Sequence, residues 1–389
     1  MKKLLFYSHD SYGLGNIRRM AAIANFLVSR HRDLYILLIT GSPMLHAFRT
    51  HPNIDYIKLP CLQRSQSGTY SAKLECFDSS VLLNSRAKVI QQVVSDFKPD
   101  LVLVDKKPEG LNGELEPSLL LLASLIEPPK CVLLLRDILD SPQATQQIWR
   151  KNAYYQLIEK YYDQLLVVGE QRIFDVTKQY DFPRAVEQKT TFCGYLQRTE
   201  HSDKPCELLK QSVKSDRKLV IAAAGGGDDG RLMLETYLQA CLQNTWQDKV
   251  DSIVFYGPEM HQSDVERLRY LAKRLPNVTL MEFTTHFITY LSAADLIVTM
   301  AGYNTICEIL SVKKPAIIIP RVVPVAEQLI RAQHFAKLEI FEYIHPEQLT
   351  PSVLNKKMAN KLFSEEAQLP FPQEINLHGM EKLEYHLLN

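Results

Sequence analysis

Residues 296–308 read LIVTMAGYNTICE, and this stretch decides the class of fold. The run Leu296–Thr299 is short and almost wholly apolar, and Gly302 then opens a segment that favours a helix. A continuously apolar strand that passes through a glycine turn into a helix is typical of a parallel sheet covered on both faces. The free backbone N–H groups at the start of such a helix attract anions. Residues 296–308 therefore predict a ligand-binding junction between a strand and a helix.

The same alternation of strand and helix runs along most of the chain, in two series. The strands predicted in the first series are Leu4–Ser8, Leu34–Thr40, Leu101–Asp105, Cys131–Arg136, Leu165–Gly169 and Thr190–Gly194. Those of the second are Lys218–Ala224, Ser252–Tyr256, Val278–Glu282, Leu296–Thr299 and Ala316–Ile319. The helices predicted in the first half are Ile17–Ser29, Val81–Phe97 and Gln146–Tyr162. The pattern predicts an α/β protein with two doubly wound, Rossmann-like domains.

Polar stretches mark the boundaries of this organisation. Residues 197–216 have the composition of a linker, so we expect an N-terminal domain over 1–198 and a C-terminal domain over 199–389. Residues 61–75 are interpreted as a long polar loop, a lid or an acceptor loop. The last segment, 374–388, is expected to be a helix that crosses back to the first domain.

Composition narrows the function classes. The chain has 389 residues, of which 46% are hydrophobic and 23% charged, enough for two cores and unlike a disordered protein. Lys and Arg number 45 against 44 Asp and Glu, so binding to nucleic acid is not expected. Residues 1–198 carry 25 basic and 20 acidic groups (+5), which leaves 20 and 24 (−4) for 199–389. This weak surplus leaves contact with an anionic lipid surface open.

The cysteines and the apolar runs point to the cytoplasm. The seven cysteines form no CxxC pair, so neither a disulfide framework nor a metal site is expected. No apolar run reaches the roughly 18 residues of a membrane-spanning helix. The longest, Leu119–Ile126, is interpreted as a buried helix, with peripheral contact at the inner face of the membrane as the alternative.

Three glycine clusters follow predicted strands. The first contains Gly13 and Gly15, the second is Gly225-Gly226-Gly227, and the third begins at Gly302. Each alone is as easily a tight turn, but three at equivalent junctions favour a ligand site. None has the GxxxxGK[ST] pattern of a nucleotide P-loop, and the first lacks a full GxGxxG.

Two sets of polar residues lie near the third cluster. Glu308 is six residues after Gly302, where a carboxylate can accept both hydroxyls of a ribose, and Thr305 and its neighbouring N–H groups face phosphate. The alternative for Glu308 is a first-turn residue stabilised by the helix dipole. The helix predicted over Val325–Phe335 is opened by Pro320-Arg321 and Glu327-Gln328, which offer partners for sugar hydroxyls. Their alternative is a plain solvated helix start.

On these residues the chain resembles the GT-B glycosyltransferases, and in particular the peptidoglycan N-acetylglucosaminyltransferases of family 28. It is also similar to a group of predicted glycosyltransferases with the same layout. The motifs expected in that group are found at 8–10 (SHD), 104–108 (VDKKP), 135–140 (LRDILD) and 225–227 (GGG). The likeness spans nearly the whole chain and is strongest over 282–328. It implies the GT-B fold, with two parallel sheets facing a cleft, an acceptor-side first domain and a donor-binding second domain.

The resemblance also implies roles for individual residues. It implies that Glu308 binds the nucleotide ribose, that the Thr284 backbone reads the base beside Phe283, and that Arg198 reaches the phosphates. Glu327 and Gln328 match the pair that holds the hydroxyls of the donated sugar. The residues that would present a helix N-terminus to the diphosphate are Gly302, Tyr303, Asn304 and Thr305.

The sequence departs from the family at two positions. A histidine that is common after the first glycine loop is replaced by Asn16, which cannot accept a proton near neutral pH. The candidates for the general base are then His9, Asp10 and Asp137, and His9 comes first because its unperturbed pKa suits the task. Asp228 replaces a small hydroxyl residue near phosphate, and it turns toward sugar hydroxyls or a cation unless it caps the following helix, Gly230–Leu242.

These observations predict a transferase that moves a sugar from a nucleoside-diphosphate sugar, by default a UDP-sugar such as UDP-N-acetylglucosamine, to an acceptor hydroxyl. Inversion at the sugar and independence of metal and of any cofactor are expected. The acceptor, a small molecule or a lipid-linked one, is left open. Three alternatives of the same fold stay open: a sugar-nucleotide 2-epimerase, a sugar-nucleotide hydrolase and a non-catalytic nucleotide-sugar-binding protein.

Overall fold

The chain forms two compact units. The computed structural model describes residues 1–8, 15–42, 51–64, 70–74, 76–198, 216–364 and 374–389. Unit 1 consists of Met1–Tyr195 together with His378–Asn389, and unit 2 consists of Leu196–Leu377. The final helix thus belongs to the same unit as the first half of the chain, while unit 2 is continuous in sequence.

Unit 1 is built on a seven-stranded parallel sheet with the order β3-β2-β1-β6-β7-β8-β9. Its strands are β1 (Lys2–Ser8), β2 (Leu34–Thr40), β3 (Ile54–Lys58), β6 (Leu101–Asp105), β7 (Lys130–Arg136), β8 (Gln164–Val168) and β9 (Thr190–Phe192). A separate antiparallel hairpin joins β4 (Leu62–Arg64) and β5 (Tyr70–Ala72).

Unit 2 carries a six-stranded parallel sheet with the order β12-β11-β10-β13-β14-β15. The strands are β10 (Lys218–Ala223), β11 (Val250–Phe255), β12 (Val278–Met281), β13 (Leu296–Thr299), β14 (Ala316–Ile318) and β15 (Glu342–Tyr343). Every residue of β11 and β13 is buried, because helices cover both faces of the sheet. Both sheets thus have the strand order of a doubly wound fold.

Helices connect most of the successive parallel strands. In unit 1 they are α1 (Gly15–Arg30), α2 (Ser79–Phe97), α3 (Glu116–Ala123), α4 (Pro142–Lys151), α5 (Tyr154–Tyr161), α6 (Val176–Gln179), α7 (Arg184–Gln188) and the final α14 (Gly379–Leu388). In unit 2 they are α8 (Arg231–Gln243), α9 (Gln262–Ala272), α10 (Phe287–Ala293), α11 (Tyr303–Val312), α12 (Glu327–Lys337) and α13 (Pro351–Phe363).

The structure differs from the sequence-based expectation in three places. The helix predicted over 146–162 is two helices, α4 and α5, because Ala153 between them has a left-handed backbone with φ of 52°. The stretch 61–75, expected to be an irregular loop, contains the β4–β5 hairpin. The run 119–126 is not a buried helix throughout, since α3 ends at Ala123 and Leu125 and Ile126 are exposed.

None of the helices in the described part of the chain combines the length and the apolar character needed to cross a membrane. Helix α3 and the residues after it nevertheless expose apolar side chains, since Ile126 is fully exposed and Leu120, within the helix, is more than half exposed.

Candidate functional site

The candidate site lies in unit 2, at the carboxyl ends of β10 and β13. These strands are neighbours at the centre of the sheet, and the chain leaves them toward opposite edges. In doubly wound sheets this point of reversal opens a crevice that binds ligands. The loops that follow the two strands carry the second and third glycine clusters predicted from sequence.

The glycine loop, which we define as residues 224–230, is packed against the loop after β11. Gly227 has φ of +102°, and a Cβ atom there would lie 2.3 Å from the carbonyl oxygen of Tyr256. Gly257, at φ of +85°, would place a Cβ 2.4 Å from the Gly226 carbonyl oxygen. Gly225 also has a positive φ, +67°, but a Cβ there would meet nothing within 4 Å. Gly227 and Gly257 are therefore required by the close approach of two backbones, and Gly225 by its conformation alone.

The two aspartates of the glycine loop differ in their surroundings. Helix α8 begins at Arg231 with Gly230 as its N-cap and no side-chain hydrogen bond to the cap, so the alternative in which Asp228 caps this helix is wrong. Asp228 is exposed. Asp229 accepts a hydrogen bond from Nη1 of Arg321, with 2.9 Å between the donor nitrogen and Oδ2.

The third cluster forms the N-terminus of α11. Gly302 is the N-cap, so the N–H groups of the residues that follow it are those without partners inside the helix. Thr305 lies in the first turn with its side chain 9% exposed. Glu308 is the sixth residue of the helix and only 2% exposed, so it is not the first-turn glutamate of the alternative interpretation. A carboxylate so far into the helix and so deeply buried is costly unless it binds hydrogen-bond donors.

The start of α12 is buried rather than solvated, and that alternative for Glu327 and Gln328 is also wrong. Oε1 of Gln328 accepts hydrogen bonds from the backbone N–H of Ala301, at 3.2 Å, and of Arg321, at 3.1 Å. Both bonds fix the orientation of the amide, so its Nε2 group points away and can only donate. Oε1 of Glu327 accepts from Nη2 of Arg321 at 3.2 Å.

Arg331, one turn further along α12, holds the other side of the same peptide. Its side chain is fully buried, and its Nη1 donates to the carbonyl oxygen of Ala301 at 2.7 Å. The guanidinium carbon lies 5.8 Å from the centroid of the Tyr303 ring, within the range of a cation–π contact. Helix α12 therefore clamps the residue that precedes Gly302 through both its N–H and its C=O group.

Arg198 lies against the start of α11. Its Nη2 donates to Oδ1 of Asn304 at 3.1 Å, and its backbone N–H donates to Oγ of Ser311 at 2.9 Å. The structure thus brings together Arg198 and the α11 residues predicted to bind phosphate. Thr284 follows the edge strand β12 instead, where its Oγ1 accepts from the N–H of His286 at 3.1 Å.

Only some of the site residues predicted in unit 1 lie in the part of the chain that the structure describes. His9, Asp10 and Gly13 lie outside the described residues, and Gly15 is the exposed first residue of α1. Asp137 is buried, and its carboxylate accepts from the N–H of Ile138 at 2.7 Å and from the hydroxyl of Tyr195 at 3.1 Å. The contacts favour a role for Asp137 in positioning the backbone after β7.

Asn16 is tied into the interior of unit 1. Its Oδ1 accepts from Nη2 of Arg19 at 3.3 Å, and the same nitrogen lies 2.5 Å from Oδ1 of Asp105. Arg19 and Asp105 are both fully buried. The residue that replaces the family's histidine therefore supports a buried ion pair at the carboxyl end of β6.

The cysteines for which a shift is resolved are poor nucleophiles. Burial raises the pKa of the thiols of Cys131, Cys193 and Cys241 to about 12, so all three stay protonated near neutral pH. Within the described ranges, no cluster of three or more His, Cys, Asp or Glu side chains is arranged to hold a metal ion.

Sequence reasoning missed three residues that build the site: Gly257, Asp229 and Arg331. Arg321 was predicted, with Pro320, to offer a partner for sugar hydroxyls, but not to join Asp229 to Glu327. Arg331 is four residues after Glu327, a spacing that places the two on one face of a helix, and this was the one signal in the sequence. The contacts of Gly257 and Asp229 join loops that are distant in sequence.

Comparison with known proteins agrees with this geometry. Residues 226–386 match the glycosyltransferase family 28 C-terminal domain. The UDP-N-acetylglucosamine--N-acetylmuramyl-(pentapeptide) pyrophosphoryl-undecaprenol N-acetylglucosamine transferase of Geobacillus kaustophilus is 28% identical over 185 residues, which cover 46% of this chain and 47% of that protein. The alignment thus spans about half the length of this relative. The enzyme of the same name from Acetivibrio thermocellus is 23% identical over 310 residues, 79% of this chain and 75% of the relative.

The fold is shared along the whole chain. The crystal structure of Acinetobacter baumannii MurG superimposes with a TM-score of 0.61 at 14% identity, covering 100% of this chain and 99% of that one. Two parallel α/β units, a reversal point lined by glycine loops and the likeness to solved structures lead to one conclusion: the chain has the GT-B fold, and residues 226–386 match the C-terminal domain of glycosyltransferase family 28.

Proposed function

We propose that the protein transfers a sugar from a UDP-sugar, by default UDP-N-acetylglucosamine, to an acceptor hydroxyl, with inversion and without a metal. The observation that carries the proposal is the arrangement around α11. A buried carboxylate, a helix N-terminus that begins at a glycine and an arginine that contacts the first turn lie together at the reversal point of the sheet. This set matches the ribose and the diphosphate of a sugar nucleotide.

In this proposal each part of the donor has its own partners. Glu308 accepts the ribose hydroxyls, and Gly302, Tyr303, Asn304 and Thr305 surround the diphosphate at the N-terminus of α11. Arg198 adds a planar guanidinium that can pair with two phosphate oxygens at once. Glu327 and Gln328 bind the hydroxyls of the sugar, and the loop at Thr284 contacts the base.

Departure of UDP develops negative charge on the diphosphate, and fixed dipoles can stabilise this charge. The N–H groups of Gly225, Gly226 and Gly227 and those at the start of α11 are held in place before the reaction, so they need no reorganisation. Each helix N-terminus contributes the equivalent of roughly half a positive charge. Together with Arg198 these groups provide the stabilisation that a metal ion provides in other enzymes.

The acceptor side is proposed to lie in unit 1. A base there removes the proton of the acceptor hydroxyl, with His9 as first choice and Asp10 and Asp137 as the other candidates. The curated relatives act, by their names, on a lipid-linked acceptor, pyrophosphoryl-undecaprenol. We extend a lipid-linked acceptor, and with it peripheral contact with a membrane, to this protein as part of the proposal. Lys106 and Lys107, which follow β6, and Arg136, the last residue of β7, would favour an anionic acceptor.

The first experiment is a thermal-shift panel of UDP, GDP, dTDP and ADP, their common sugars, and NADH. A ligand at 100 times its Kd stabilises a protein by about 2.7 kcal/mol, a shift of several degrees. We expect UDP and one UDP-sugar to raise the Tm, Glu308→Ala to abolish the shift, and Glu266→Ala, at an exposed position of α9, to retain it. Stabilisation by NADH alone would refute the proposal.

Product analysis separates the transferase from its alternatives. Incubation with the stabilising UDP-sugar and no acceptor should leave the donor intact. Free sugar would identify a hydrolase, and an epimerised donor would identify an epimerase. Donor affinity with no turnover for any acceptor would identify a binding protein.

A further inference from the structure

Arg321, which follows Asp229 by 92 residues in sequence, connects the glycine loop with the start of α12. It lies three residues beyond the end of β14, and its side chain is 27% exposed. Nη1 donates to Asp229 of the glycine loop, and Nη2 donates to Glu327 at the start of α12. One guanidinium therefore fixes the distance between the glycine loop and α12.

The same residue determines what α12 can offer to a ligand. The Arg321 backbone N–H is one of the two donors that occupy the carbonyl of Gln328, so the amide of Gln328 can only donate. The carboxylate of Glu327, held by the Arg321 side chain, can only accept. Two consecutive residues therefore offer a hydrogen-bond acceptor, the carboxylate of Glu327, and a hydrogen-bond donor, the amide of Gln328. Arg321 contacts both side chains.

An acceptor and a donor held in fixed orientations bind a sugar whose neighbouring hydroxyls have one particular arrangement. They bind the epimers of that sugar less well. A buried site built to bind a hydroxyl rejects an analogue that lacks it, because the protein groups are then left unpaired. The geometry of the pair, rather than its charge, carries this discrimination.

Charge alone does not explain why an arginine stands here. A positive charge between Asp229 and Glu327 reduces their repulsion of an anionic donor, and a lysine would provide that too. A lysine offers a single point charge, however, whereas the planar fork of arginine bonds two carboxylates at a fixed separation. Substitution by lysine therefore separates the contribution of the positive charge from that of the planar guanidinium.

We propose that Arg321 is a positioning residue that sets the selectivity for the donated sugar, by holding Glu327, Gln328 and the glycine loop in one geometry. This inference rests on the proposed function, because it takes the ligand to be a UDP-sugar. Arg321 acts through Glu327 and Gln328, and a lysine in its place keeps the positive charge near the anionic donor, so binding of the UDP portion should survive that substitution.

The test measures the Kd of UDP and of four UDP-sugars by calorimetry: UDP-N-acetylglucosamine, UDP-N-acetylgalactosamine, UDP-glucose and UDP-glucuronic acid. The variants are Arg321→Lys and Arg321→Met. The matched control is Arg267→Lys, since Arg267 makes a comparable pair with Glu235 between α9 and α8, outside the site. The Tm of each free variant shows whether it is folded.

We expect Arg321→Lys to bind UDP within threefold of the unmodified protein. Its affinity for the preferred UDP-sugar should fall at least tenfold, and its preference among the four sugars should narrow. Arg321→Met should lose sugar selectivity to the same degree, and Arg267→Lys should change neither affinity. Equal losses for UDP and UDP-sugar in a folded Arg321→Lys variant would overturn the inference, and so would unchanged selectivity. If the unmodified protein bound no UDP, the proposed function itself would fail.

Discussion

Single side chains of α12 hold the backbone on which the candidate site depends. Ala301 precedes the N-cap of α11, and its peptide groups are bound on one side by Gln328 and on the other by Arg331. Both side chains are buried, so the bonds form in surroundings where an unpaired polar group is costly. The start of α11 is thereby held in place before any ligand binds.

Removing the buried arginine should therefore weaken both the unit and the site. Arg331→Met removes the donor to the Ala301 carbonyl and the cation 4.0 Å from Oε2 of Glu327, and we expect a loss of about 3 kcal/mol in unfolding free energy. Urea denaturation measures this loss, and UDP affinity should fall with it. Arg274→Met, at an exposed position after α9, serves as the control and should change stability little. Equal effects of the two substitutions would contradict this account.

Two glycines of one loop allow conformational strain and steric overlap to be compared. Gly225→Ala introduces only the cost of a positive φ, about 1 kcal/mol, since its Cβ would meet nothing within 4 Å. Gly227→Ala adds a collision with the Tyr256 carbonyl oxygen, and we expect a total cost of about 3 kcal/mol or more. Thermal unfolding of the two variants measures the difference. A Gly225→Ala variant as unstable as Gly227→Ala would show that the two loops do not pack as described.

For single residues, the sequence was informative where a polar or glycine residue directly follows a recognisable strand. Gly302 and Glu308 were predicted near the reversal point because a strand, a turn and a helix follow one another without interruption. The pairing of Arg321 with Asp229 was missed because it depends on which loops the strand order brings together. A single sequence shows the order of elements along the chain and not the order of strands in the sheet.

At the scale of elements, the central strands were the most predictable. Leu34–Thr40, Leu101–Asp105 and Leu296–Thr299 were predicted with the bounds that the structure has, because strands buried on both faces are continuously apolar. Two of the four edge strands of the parallel sheets, β3 and β15, were not predicted, since three of the five residues of β3 are exposed and β15 is only two residues long. The break between α4 and α5 has no glycine or proline to announce it.

Helix α14 carries a group whose protonation should loosen its attachment. Burial, together with the charges of Lys130 and Lys382, lowers the pKa of His386 below its ordinary value of 6.5. The ring faces Gln164, whose Nε2 lies 3.0 Å from its Nδ1. A histidine with a lowered pKa in the folded state contributes stability above about pH 6.5 and loses that contribution as the pH falls toward the folded pKa.

We therefore expect the urea midpoint of the transition of unit 1 to fall between pH 7.5 and pH 5.5. The fall should be smaller in His386→Gln, which has no group that protonates in this range. His261→Gln, at an exposed position of unit 2, should keep the full pH dependence. An unchanged fall in His386→Gln would show that other groups cause it.

Glu384 on the same helix adds a more acidic step. Burial would raise its pKa, but hydrogen bonds and attraction from Arg30 and His31 outweigh burial, and the pKa is lowered. A carboxylate of this kind stabilises the folded state above its unfolded pKa and ceases to do so as the pH falls through the folded value. The two groups thus weaken the attachment of α14 in the same direction, one after the other.

At the scale of the whole molecule, unit 1 is assembled from both ends of the chain. Met380, Leu383 and Leu387 of α14 are buried, and Lys2 and Lys130 donate to backbone carbonyls of this helix. The N–H of Gly379 donates to the Tyr195 carbonyl at the end of the first segment of unit 1. Unit 2, by contrast, is a single continuous segment with its own core.

Truncation after Leu377 should therefore affect the two units differently. Loss of the three buried apolar side chains should cost unit 1 about 5 kcal/mol, while unit 2 keeps all the residues of the donor site. Differential scanning calorimetry with and without UDP should show a lowered transition for unit 1 and a UDP-dependent transition for unit 2. Loss of UDP binding on truncation would show that the donor site depends on α14.

The discontinuity of unit 1 also has a consequence for synthesis. A ribosome produces α14 only after it has made all of unit 2, although α14 covers surface that was complete by Tyr195. Domains usually fold in the order in which they emerge. Here the second unit has all its residues before the first does, so the apolar surface awaiting α14 stays uncovered throughout the synthesis of unit 2. A chaperone that binds nascent chains would therefore bind this uncovered apolar surface of unit 1, the part of the chain that is synthesised first.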